Sequence, residues 1–339
     1  MSGLKNRIKA LEKLGYYLSN ISKEDSQYDP FFDAIDRAQL QNPWFEKKAC
    51  ILAIQSWGAA LKPENIARWE SEYQLKENND PKTIAVIMAG NIPLVGFHDL
   101  VSIWISGNKA LVKCASKDSI LIPFIVDFDP LFQSLTTFTD KKLEGFDAVI
   151  ATGSNNAARY FDYYFSKYPH IIRKNKNGIA VLNGAETQDD MKNLGKDMLQ
   201  YFGLGCRNVS KLYLPKGFDL NMVFGGLFPF ANIIQMNKYA NNYDYNKAVY
   251  LMSEFEFVEN GFFMLREEHT ISSPIATGHY EFYDALDPLK SHLQEQQEKI
   301  QCVVSNADIE GAILFGEAQN PQLWDYADGV DTLEFIKSL

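Results

Sequence analysis

Residues 82–114 read KTIAVIMAGNIPLVGFHDLVSIWISGNKALVKC, and their pattern indicates the fold class. It opens with a short apolar run at residues 83–88, which is typical of a strand buried on both faces. A helical pattern follows at residues 96–105, Gly107 and Asn108 form a turn, and residues 109–114 are a second apolar run. Strand, helix and strand in this order make a βαβ unit, which predicts a parallel sheet with right-handed crossovers.

The same alternation continues beyond this unit. Residues 147–151 are a further predicted strand, residues 157–165 a helix and residues 178–182 another strand. Together with the first βαβ unit they predict a doubly wound, Rossmann-type α/β domain over residues 81–184. No GxGxxG fingerprint follows any of these strands, so a dinucleotide would have to be held in another way.

The remaining segments complete the predicted domain organisation. Residues 1–80 carry apolar residues at helical spacing and predict a helical N-terminal cap without catalytic residues. A helix at residues 188–202 and a further series of strands and helices predict a second α/β domain over residues 185–312. Residues 313–339 are a C-terminal tail with an acidic segment.

Composition limits the classes of function. The chain has 339 residues, 46% of them hydrophobic and 22% charged, which is the balance of an ordinary soluble protein with room for two domains. A net charge of -10 without a block of lysine or arginine argues against a nucleic-acid partner. No stretch approaches the roughly 18 apolar residues of a membrane span. The cysteines show neither CxxC pairs nor metal-ligand spacing; they are Cys50, Cys114, Cys206 and Cys302. We therefore expect a cytoplasmic protein with no metal site.

The second informative stretch is residues 201–210, YFGLGCRNVS. Gly203 and Gly205 allow the backbone to turn sharply where a predicted helix gives way to a strand. Cys206 stands on this turn, where a thiolate nucleophile would be displayed. A lone cysteine at a tight bend is also often a small buried residue with no chemical role. This stretch alone leaves both interpretations open.

Four elements occur in a fixed order: an Asn-x-Pro after the first strand, a lysine ending the second, a Gly-Ser after a later strand, and a cysteine after the domain crossover. The order resembles that of the aldehyde dehydrogenase superfamily, and the chain is most similar within it to the bacterial acyl-CoA reductases related to the fatty-acid reductase of luminous bacteria. The resemblance covers residues 82–339. Its motifs are residues 89–93 (AGNIP), 107–108 (GN) with 112–113 (VK), 151–154 (ATGS), 203–208 (GLGCRN), and the tail from 315–316 (FG) to 325–331 (DYADGVD).

The resemblance implies catalytic roles for two residues. Cys206 matches the nucleophile of the family, whose thiolate exchanges one thioester for another and forms an acyl-enzyme. Asn91 matches the asparagine whose side-chain amide holds the developing oxyanion, with the backbone N–H of Cys206 as the expected second donor. An asparagine before Ile92 and Pro93 would equally suit a turn for conformational reasons.

The resemblance also implies a nicotinamide cofactor. Lys113 matches the lysine that meets the adenosine ribose, at the carboxyl edge of the predicted sheet. Ser116 stands where many NAD-dependent relatives carry a glutamate, and Lys117 would pair with a 2′-phosphate, although a solvated surface charge is the alternative. Gly153 and Ser154 lie between strand and helix, where a pyrophosphate is favoured, although Ser154 would serve equally as a helix cap. We expect NADPH, with NADH as the alternative.

The sequence lacks the glutamate that activates water in hydrolytic aldehyde dehydrogenases, and this absence favours reduction over hydrolysis. Hydrolytic aldehyde dehydrogenases carry a glutamate in a Glu-Leu-Gly-Gly motif, where it activates water. The corresponding residues 181–184 read VLNG, so Val181 stands in place of that base, with Glu186 as an alternative one. Without such a base, an acyl-enzyme persists until a thiol or a hydride reaches it.

The expected function is NAD(P)H-dependent reduction of an acyl-CoA or acyl-carrier thioester, with a fatty acyl chain, to the aldehyde. Two alternatives remain at this stage. One is a catalytically inactive nucleotide-binding relative that acts as a partner in a lipid pathway. The other is an acyl-phosphate reductase. The sequence does not predict chain length or oligomeric state.

Overall fold

A computed structural model of the chain describes residues 3–339 and divides into two compact units. The first unit contains the residues up to Asn175 together with Pro321–Leu339, and the second contains Lys176–Asn320. Within residues 3–339, none of the helices has the combination of length and apolar character that crossing a membrane requires.

The first unit begins with helices, as predicted. They are α1 (Leu4–Ser19), α2 (Asp29–Gln41), α3 (Lys47–Ala60) and α4 (Pro63–Tyr73). Residues at helical spacing face inward, with Leu11, Leu14 and Leu18 of α1 fully buried. These helices belong to the same compact unit as the first sheet.

The first sheet has five strands that all pair in parallel, in the order β3-β2-β1-β4-β5. The strands are β1 (Thr83–Ile87), β2 (Lys109–Lys113), β3 (Thr136–Phe138), β4 (Ala148–Thr152) and β5 (His170–Arg173). The connecting helices are α5 (Phe97–Ser106), α6 (Leu121–Val126), α7 (Pro130–Leu135) and α8 (Asn155–Phe165). The predicted βαβ unit is confirmed, since Thr83 lies opposite Lys109 and Ile87 opposite Lys113 in a parallel register.

The second sheet has six strands in the order β11-β6-β7-β10-β9-β8, parallel except for the β8–β9 pair. They are β6 (Asn177–Val181), β7 (Val209–Pro215), β8 (Val258–Glu259), β9 (Met264–Glu267), β10 (Thr277–Tyr283) and β11 (Ile300–Val304). The helices of this unit are α9 (Gln188–Leu199), α10 (Leu220–Leu227), α11 (Asn237–Met252) and α12 (Leu286–Glu295). Short 3-10 helices cover Ser26–Tyr28, Gln200–Gly203, Phe228–Gln235, Gln297–Lys299 and Ala327–Gly329.

The division of the chain differs from the expected one in two places. The strand expected at residues 178–182 in the first domain is β6, which pairs with β7 and β11 of the second sheet, so the first unit reaches only Asn175. A run buried on both faces has the same pattern in either sheet, and only its partners decide between them. The expected tail is also divided, because residues 313–320 stay in the second unit and residues 321–339 return to the first.

Buried polar contacts fix the returning segment, which ends in helix α13 (Thr332–Lys337). Arg173 donates from Nη1 and Nη2 to the two carboxylate oxygens of Asp99 at 2.8 and 2.9 Å, and Nη2 also donates to Thr332 Oγ1 at 2.8 Å. All three residues are buried. Trp69 Nε1 donates to the hydroxyl of Tyr326 at 2.7 Å. The acidic tail thus has a structural role in the first unit.

Candidate functional site

Helix α9 leads to a strained turn just before Cys206. Tyr201, Phe202 and Gly203 adopt φ angles of 53°, 61° and 75°, three consecutive residues in the left-handed region. Only glycine adopts this conformation freely, and each other residue costs about 1–2 kcal/mol there. The side chains of Tyr201 and Phe202 are buried. Such a turn persists only where its surroundings hold it in place.

One buried amide joins the two ends of this turn. Asn208 is 2% exposed, and its Oδ1 accepts the N–H of Gly205 at 2.8 Å. Its Nδ2 donates to the carbonyl oxygens of Asp197 at 2.9 Å and Gln200 at 2.8 Å, which belong to the end of α9 and the residue after it. Cys206, which follows Gly205, is half-buried. The cysteine is therefore held by its neighbours on a short, fixed segment between α9 and β7.

The segment at residues 316–318 is attached to the same region. The carboxylate of Asp197 accepts the N–H groups of Gly316 at 2.6 Å and Ala318 at 3.0 Å. Burial raises the pKa of Asp197 to about 6, against the lowering effect of these hydrogen bonds. Arg207 donates from Nε to the carbonyl of Ala318. The residue after Cys206 is thereby fixed as well.

The neighbouring strands approach the cysteine segment closely. Gly178 of β6 donates its N–H to the carbonyl of Asn208 at 3.0 Å, and a Cβ at this position would lie 2.6 Å from the carbonyl oxygen of Arg207. The Sγ of Cys302 donates to that same carbonyl at 3.7 Å. Burial raises the pKa of the Cys302 thiol to about 11, with Arg207 lowering it and Cys206 raising it further. Glycine is the residue that this approach permits.

The first sheet carries the expected catalytic residue Asn91 and the expected cofactor residues at one edge. Asn91 is exposed on the loop after β1. Lys113 is the last residue of β2, and its Nζ donates to the carbonyl of Lys141 at 3.3 Å. Ser116 and Lys117 are exposed on the loop that follows. Because β1 and β2 are adjacent and parallel, these loops leave the sheet at the same edge, where ligands bind in open α/β folds.

Gly153 and Ser154 come to this edge after β4, which pairs with β1. Ser154 Oγ accepts the N–H of Ala157 at 3.2 Å, so the serine caps α8, as its alternative interpretation predicts. A Cβ on Gly153 would lie 2.9 Å from the Cβ of Ala157, so the helix begins very close to the strand end. The other N–H groups of the first turn have no partner within the helix, which suits a pyrophosphate.

Comparison with solved structures identifies the fold. No protein-family model and no curated protein sequence matches the chain. Aldehyde dehydrogenase 21 from Physcomitrella patens, in complex with the reaction product succinate, is similar over 99% of this chain and 84% of its own, with a TM-score of 0.65 and 10% identity. The chain has the aldehyde dehydrogenase fold.

Two further structures with this fold are similar to the chain. One is a Mycobacterium tuberculosis aldehyde dehydrogenase complexed with NAD⁺, with a TM-score of 0.62 and 10% identity over 90% of this chain and 73% of that one. The other is an NAD-dependent aldehyde dehydrogenase from Sinorhizobium meliloti, with a TM-score of 0.63 and 10% identity over 94% of this chain and 72% of that one. The expected α/β fold class, of aldehyde dehydrogenase type, is confirmed.

Asp118 is a buried carboxyl group next to the loop that carries Asn91, and no sequence motif marks it. It is 4% exposed, and its Oδ2 accepts the N–H of Leu94, a residue with a φ of 60°, at 3.3 Å. A Cβ on Gly90 would lie 3.3 Å from the Cβ of Asp118, so the carboxyl group lies against the loop that carries Asn91. Among residues 3–339, its Oδ1 has no hydrogen-bond partner. Burial raises the pKa of Asp118 to about 7.

We expect Asp118→Asn to stabilise the protein increasingly as pH rises from 5 to 8. The folded chain holds the proton of Asp118 up to about pH 7, whereas the unfolded chain releases it near the ordinary pKa of 3.8. The contribution of this carboxyl to stability therefore falls as pH rises between these values. Asparagine does not ionise, so the stability advantage of Asp118→Asn over the wild type should grow by on the order of 3 kcal/mol between pH 5 and pH 8.

Urea unfolding at pH 5 and pH 8 measures this difference. All five tryptophans (Trp44, Trp57, Trp69, Trp104 and Trp324) lie in the first unit, so their fluorescence reports on the unit that contains Asp118. Asp140→Asn, at an exposed aspartate of the same unit, is the matched control and should show no such trend. An advantage of the Asp118 variant that does not change with pH would contradict the prediction.

Residues 181–184 correspond to the motif that carries the base in hydrolytic aldehyde dehydrogenases. In this chain, Glu186 closes the turn that follows β6. Glu186 accepts the N–H of Asn183 with Oε1 at 2.6 Å and that of Gly184 with Oε2 at 3.0 Å, and it is buried. Val181 is the fully buried last residue of β6. Both oxygens of the nearby carboxylate are thus engaged by backbone N–H groups, which argues against Glu186 as a shifted water-activating base.

Proposed function

We propose that the chain is an NAD(P)H-dependent oxidoreductase that reduces an acyl-CoA thioester to an aldehyde through an acyl-enzyme on Cys206. The observation that carries the proposal is a half-buried cysteine fixed behind a left-handed turn in a chain with the aldehyde dehydrogenase fold. The turn-closing role of Glu186 favours reduction over hydrolysis, because a persistent acyl-enzyme can accept a hydride.

The residues at the edge of the first sheet fit a nicotinamide dinucleotide. The start of α8 behind Gly153 and Ser154 would hold the pyrophosphate through backbone N–H groups. Lys113 would meet the adenosine ribose. Ser116 and Lys117 are exposed and bring no acidic charge, which favours a 2′-phosphate and therefore NADPH. A solved relative complexed with NAD⁺ supports a cofactor of this class.

The first step builds the acyl-enzyme from groups of the chain itself. The thiolate of Cys206 forms a bond to the thioester carbonyl carbon, and the carbonyl electron pair moves to oxygen. The side-chain amide of Asn91 would donate to this oxyanion, a contact worth about 3 kcal/mol in the barrier. When the oxyanion collapses, the bond from carbon to the coenzyme sulfur breaks, and the coenzyme leaves as a thiolate that takes a proton from water.

The second step releases the aldehyde. A nicotinamide cofactor held at the edge of the first sheet would supply the hydride that reduces the acyl carbon. The oxyanion that results is held by the same donors, and its collapse breaks the bond from carbon to the sulfur of Cys206. The cysteine thus returns as a thiolate, and the acyl group has gained two electrons and become an aldehyde.

We extend the proposal to fatty acyl substrates, on CoA or on a carrier protein. The support for this narrower statement is the set of sequence motifs shared with acyl-CoA reductases of the luminous-bacterium type. An acyl phosphate would enter the same chemistry, with phosphate as the leaving group. A catalytically inactive nucleotide-binding protein is the remaining alternative.

The test is oxidation of NADPH at 340 nm with a panel of thioesters from acetyl-CoA to palmitoyl-CoA. We expect consumption of NADPH with one aldehyde formed per turnover. We expect kcat/KM for NADPH to exceed that for NADH about tenfold or more, because a charge-assisted contact to the 2′-phosphate contributes roughly 1.5–3 kcal/mol.

Oxidation of the aldehyde, the reverse reaction, tests whether the protein lacks a water-activating base. With an aldehyde and NADP⁺, reduction of the cofactor should depend on added CoA and yield the thioester. Formation of a free acid without CoA would contradict the acylating mechanism. No consumption of NADPH or NADH across the panel would overturn the proposed substrate, and turnover with an acyl phosphate would then assign the donor.

A further inference from the structure

We infer that Asn208 is the positioning residue of the nucleophile: its side-chain amide holds the turn before Cys206 and so sets the thiol for attack. The inference rests on the proposed role of Cys206. Asn208 itself makes its contacts within the protein, to the backbone on both sides of the cysteine. The proposed role of Asn208 therefore involves no contact with the substrate.

Asn208 is hydrogen-bonded through both its side chain and its backbone. Its Oδ1 accepts from Gly205, and its Nδ2 donates to the carbonyls of Asp197 and Gln200. Its own N–H donates to the carbonyl of Gly205 at 3.0 Å, and its own carbonyl accepts the N–H of Gly178 at 3.0 Å. Gly205 is thus bonded to Asn208 through both its N–H and its carbonyl. The two residues between them are Cys206 and Arg207, so this pair of bonds fixes the loop that bears the thiol.

The same side chain also binds the carbonyl groups at the end of α9. The last carbonyl groups of a helix have no partner inside it, and here the chain reverses at once into left-handed residues. The two Nδ2 hydrogens of Asn208 satisfy the carbonyls of Asp197 and Gln200. The same side chain therefore stabilises the helix end and the cysteine loop. Loss of the amide would release the loop relative to the helix, with every other residue of the site unchanged.

The chemistry of the amide gives a selective test. Aspartate has the shape of asparagine and keeps an oxygen for the N–H of Gly205. It places a second oxygen, instead of a donor, against the carbonyls of Asp197 and Gln200. Asn208→Asp therefore changes one half of the network, and Asn208→Ala removes both halves. Asn208→Ser keeps a hydroxyl that can satisfy one of the partners of the Asn208 side chain.

The experiment measures alkylation of Cys206 by iodoacetamide as a function of pH, with the labelled peptide identified by mass spectrometry. This readout needs neither substrate nor cofactor, so it holds even if the chain fails to reduce any thioester. We expect the rate at pH 7 to fall at least tenfold in Asn208→Ala and Asn208→Asp, with a shifted midpoint of the pH profile. We expect kcat to fall at least tenfold as well, with the KM for acyl-CoA changing less than twofold.

Asn246→Ala is the matched control in the same unit. Asn246 also donates from Nδ2 to a backbone carbonyl, that of Ile275 at 2.9 Å, away from the cysteine loop. A role in stability alone would lower the folded fraction without moving the pH profile of the folded molecules. Circular dichroism establishes that each variant is folded.

A shifted alkylation profile in the Asn208 variants, with a normal one in Asn246→Ala, supports the inference. A wild-type profile in folded Asn208→Ala and Asn208→Asp overturns it. If Asn208→Ala does not fold, Asn208→Ser and Asn208→Asp give the answer. If none of the three folds, Asn208 serves stability alone and the inference is overturned. Absence of reductase activity in the wild type counts against the proposed function only.

Discussion

We expect Cys206→Ala to lower kcat for the proposed NADPH-dependent reduction of acyl-CoA thioesters by on the order of 10³-fold or more. The methyl group of alanine cannot attack the thioester carbon, so no acyl-enzyme forms and a hydride has no activated acceptor. The rate at 340 nm, with saturating thioester and NADPH, measures this loss. Substrate binding should be retained, because the variant removes only the sulfur atom of the half-buried Cys206.

Cys50→Ala is the control for general loss of a thiol. Cys50 is buried in α3, and burial raises its thiol pKa to about 12, so it is not a nucleophile at neutral pH. This variant should keep wild-type kcat. In the absence of NADPH, wild-type protein mixed with acyl-CoA should release one equivalent of CoA per chain, and Cys206→Ala none. Normal thioester reduction by Cys206→Ala would rule out the mechanism.

The second large effect is on stability. Asp99→Ala should lower the free energy of unfolding of the first unit by about 3–5 kcal/mol. The change removes the carboxylate that accepts from two nitrogens of the buried Arg173 guanidinium. Removal of one partner of a buried ion pair is more costly than removal of both, because the desolvation of the remaining charge is then offset less. Urea unfolding followed by tryptophan fluorescence reports on this unit.

Two comparisons isolate the cause. Glu144→Ala breaks an exposed ion pair with Lys142 in the same unit and should cost less than about 1 kcal/mol. The double variant Asp99→Leu with Arg173→Met removes both charges and should recover part of the loss, because apolar side chains need no partner. An Asp99→Ala protein that is no less stable than Glu144→Ala would contradict a strong contribution of the buried ion pair between Asp99 and Arg173.

Local patterns predicted much of the fold. The βαβ unit at residues 82–114 was readable because strand, helix and turn signals all lie within one short stretch. The strand at residues 178–182 was also recognised, but its sheet was not. Its partners, β7 and β11, lie tens of residues or more away, and β11 comes more than a hundred residues later. Pairing over such distances leaves no mark on the pattern of a short apolar run.

The site residues also differ in whether a local sequence pattern indicates them. Cys206 and Asn91 were found because motif order indicates them, and their catalytic roles stay predictions. Asn208 lies within the quoted motif, yet its role depends on Asp197 and Gln200, which become neighbours only when α9 ends in a left-handed turn. Asp118 gave no signal, because burial of a single carboxyl depends on the packing around Gly90.

The path of the chain through the two units has a consequence for its synthesis. Residues 176–320 form an uninterrupted unit, whereas the first unit includes residues 321–339. On the ribosome, Asp99 and Arg173 emerge long before Thr332, and Trp69 long before Tyr326. The part translated first is therefore completed last, which reverses the usual order in which domains fold as they leave the exit tunnel. Until Tyr326 and Thr332 are made, the nascent first unit lacks these buried contacts.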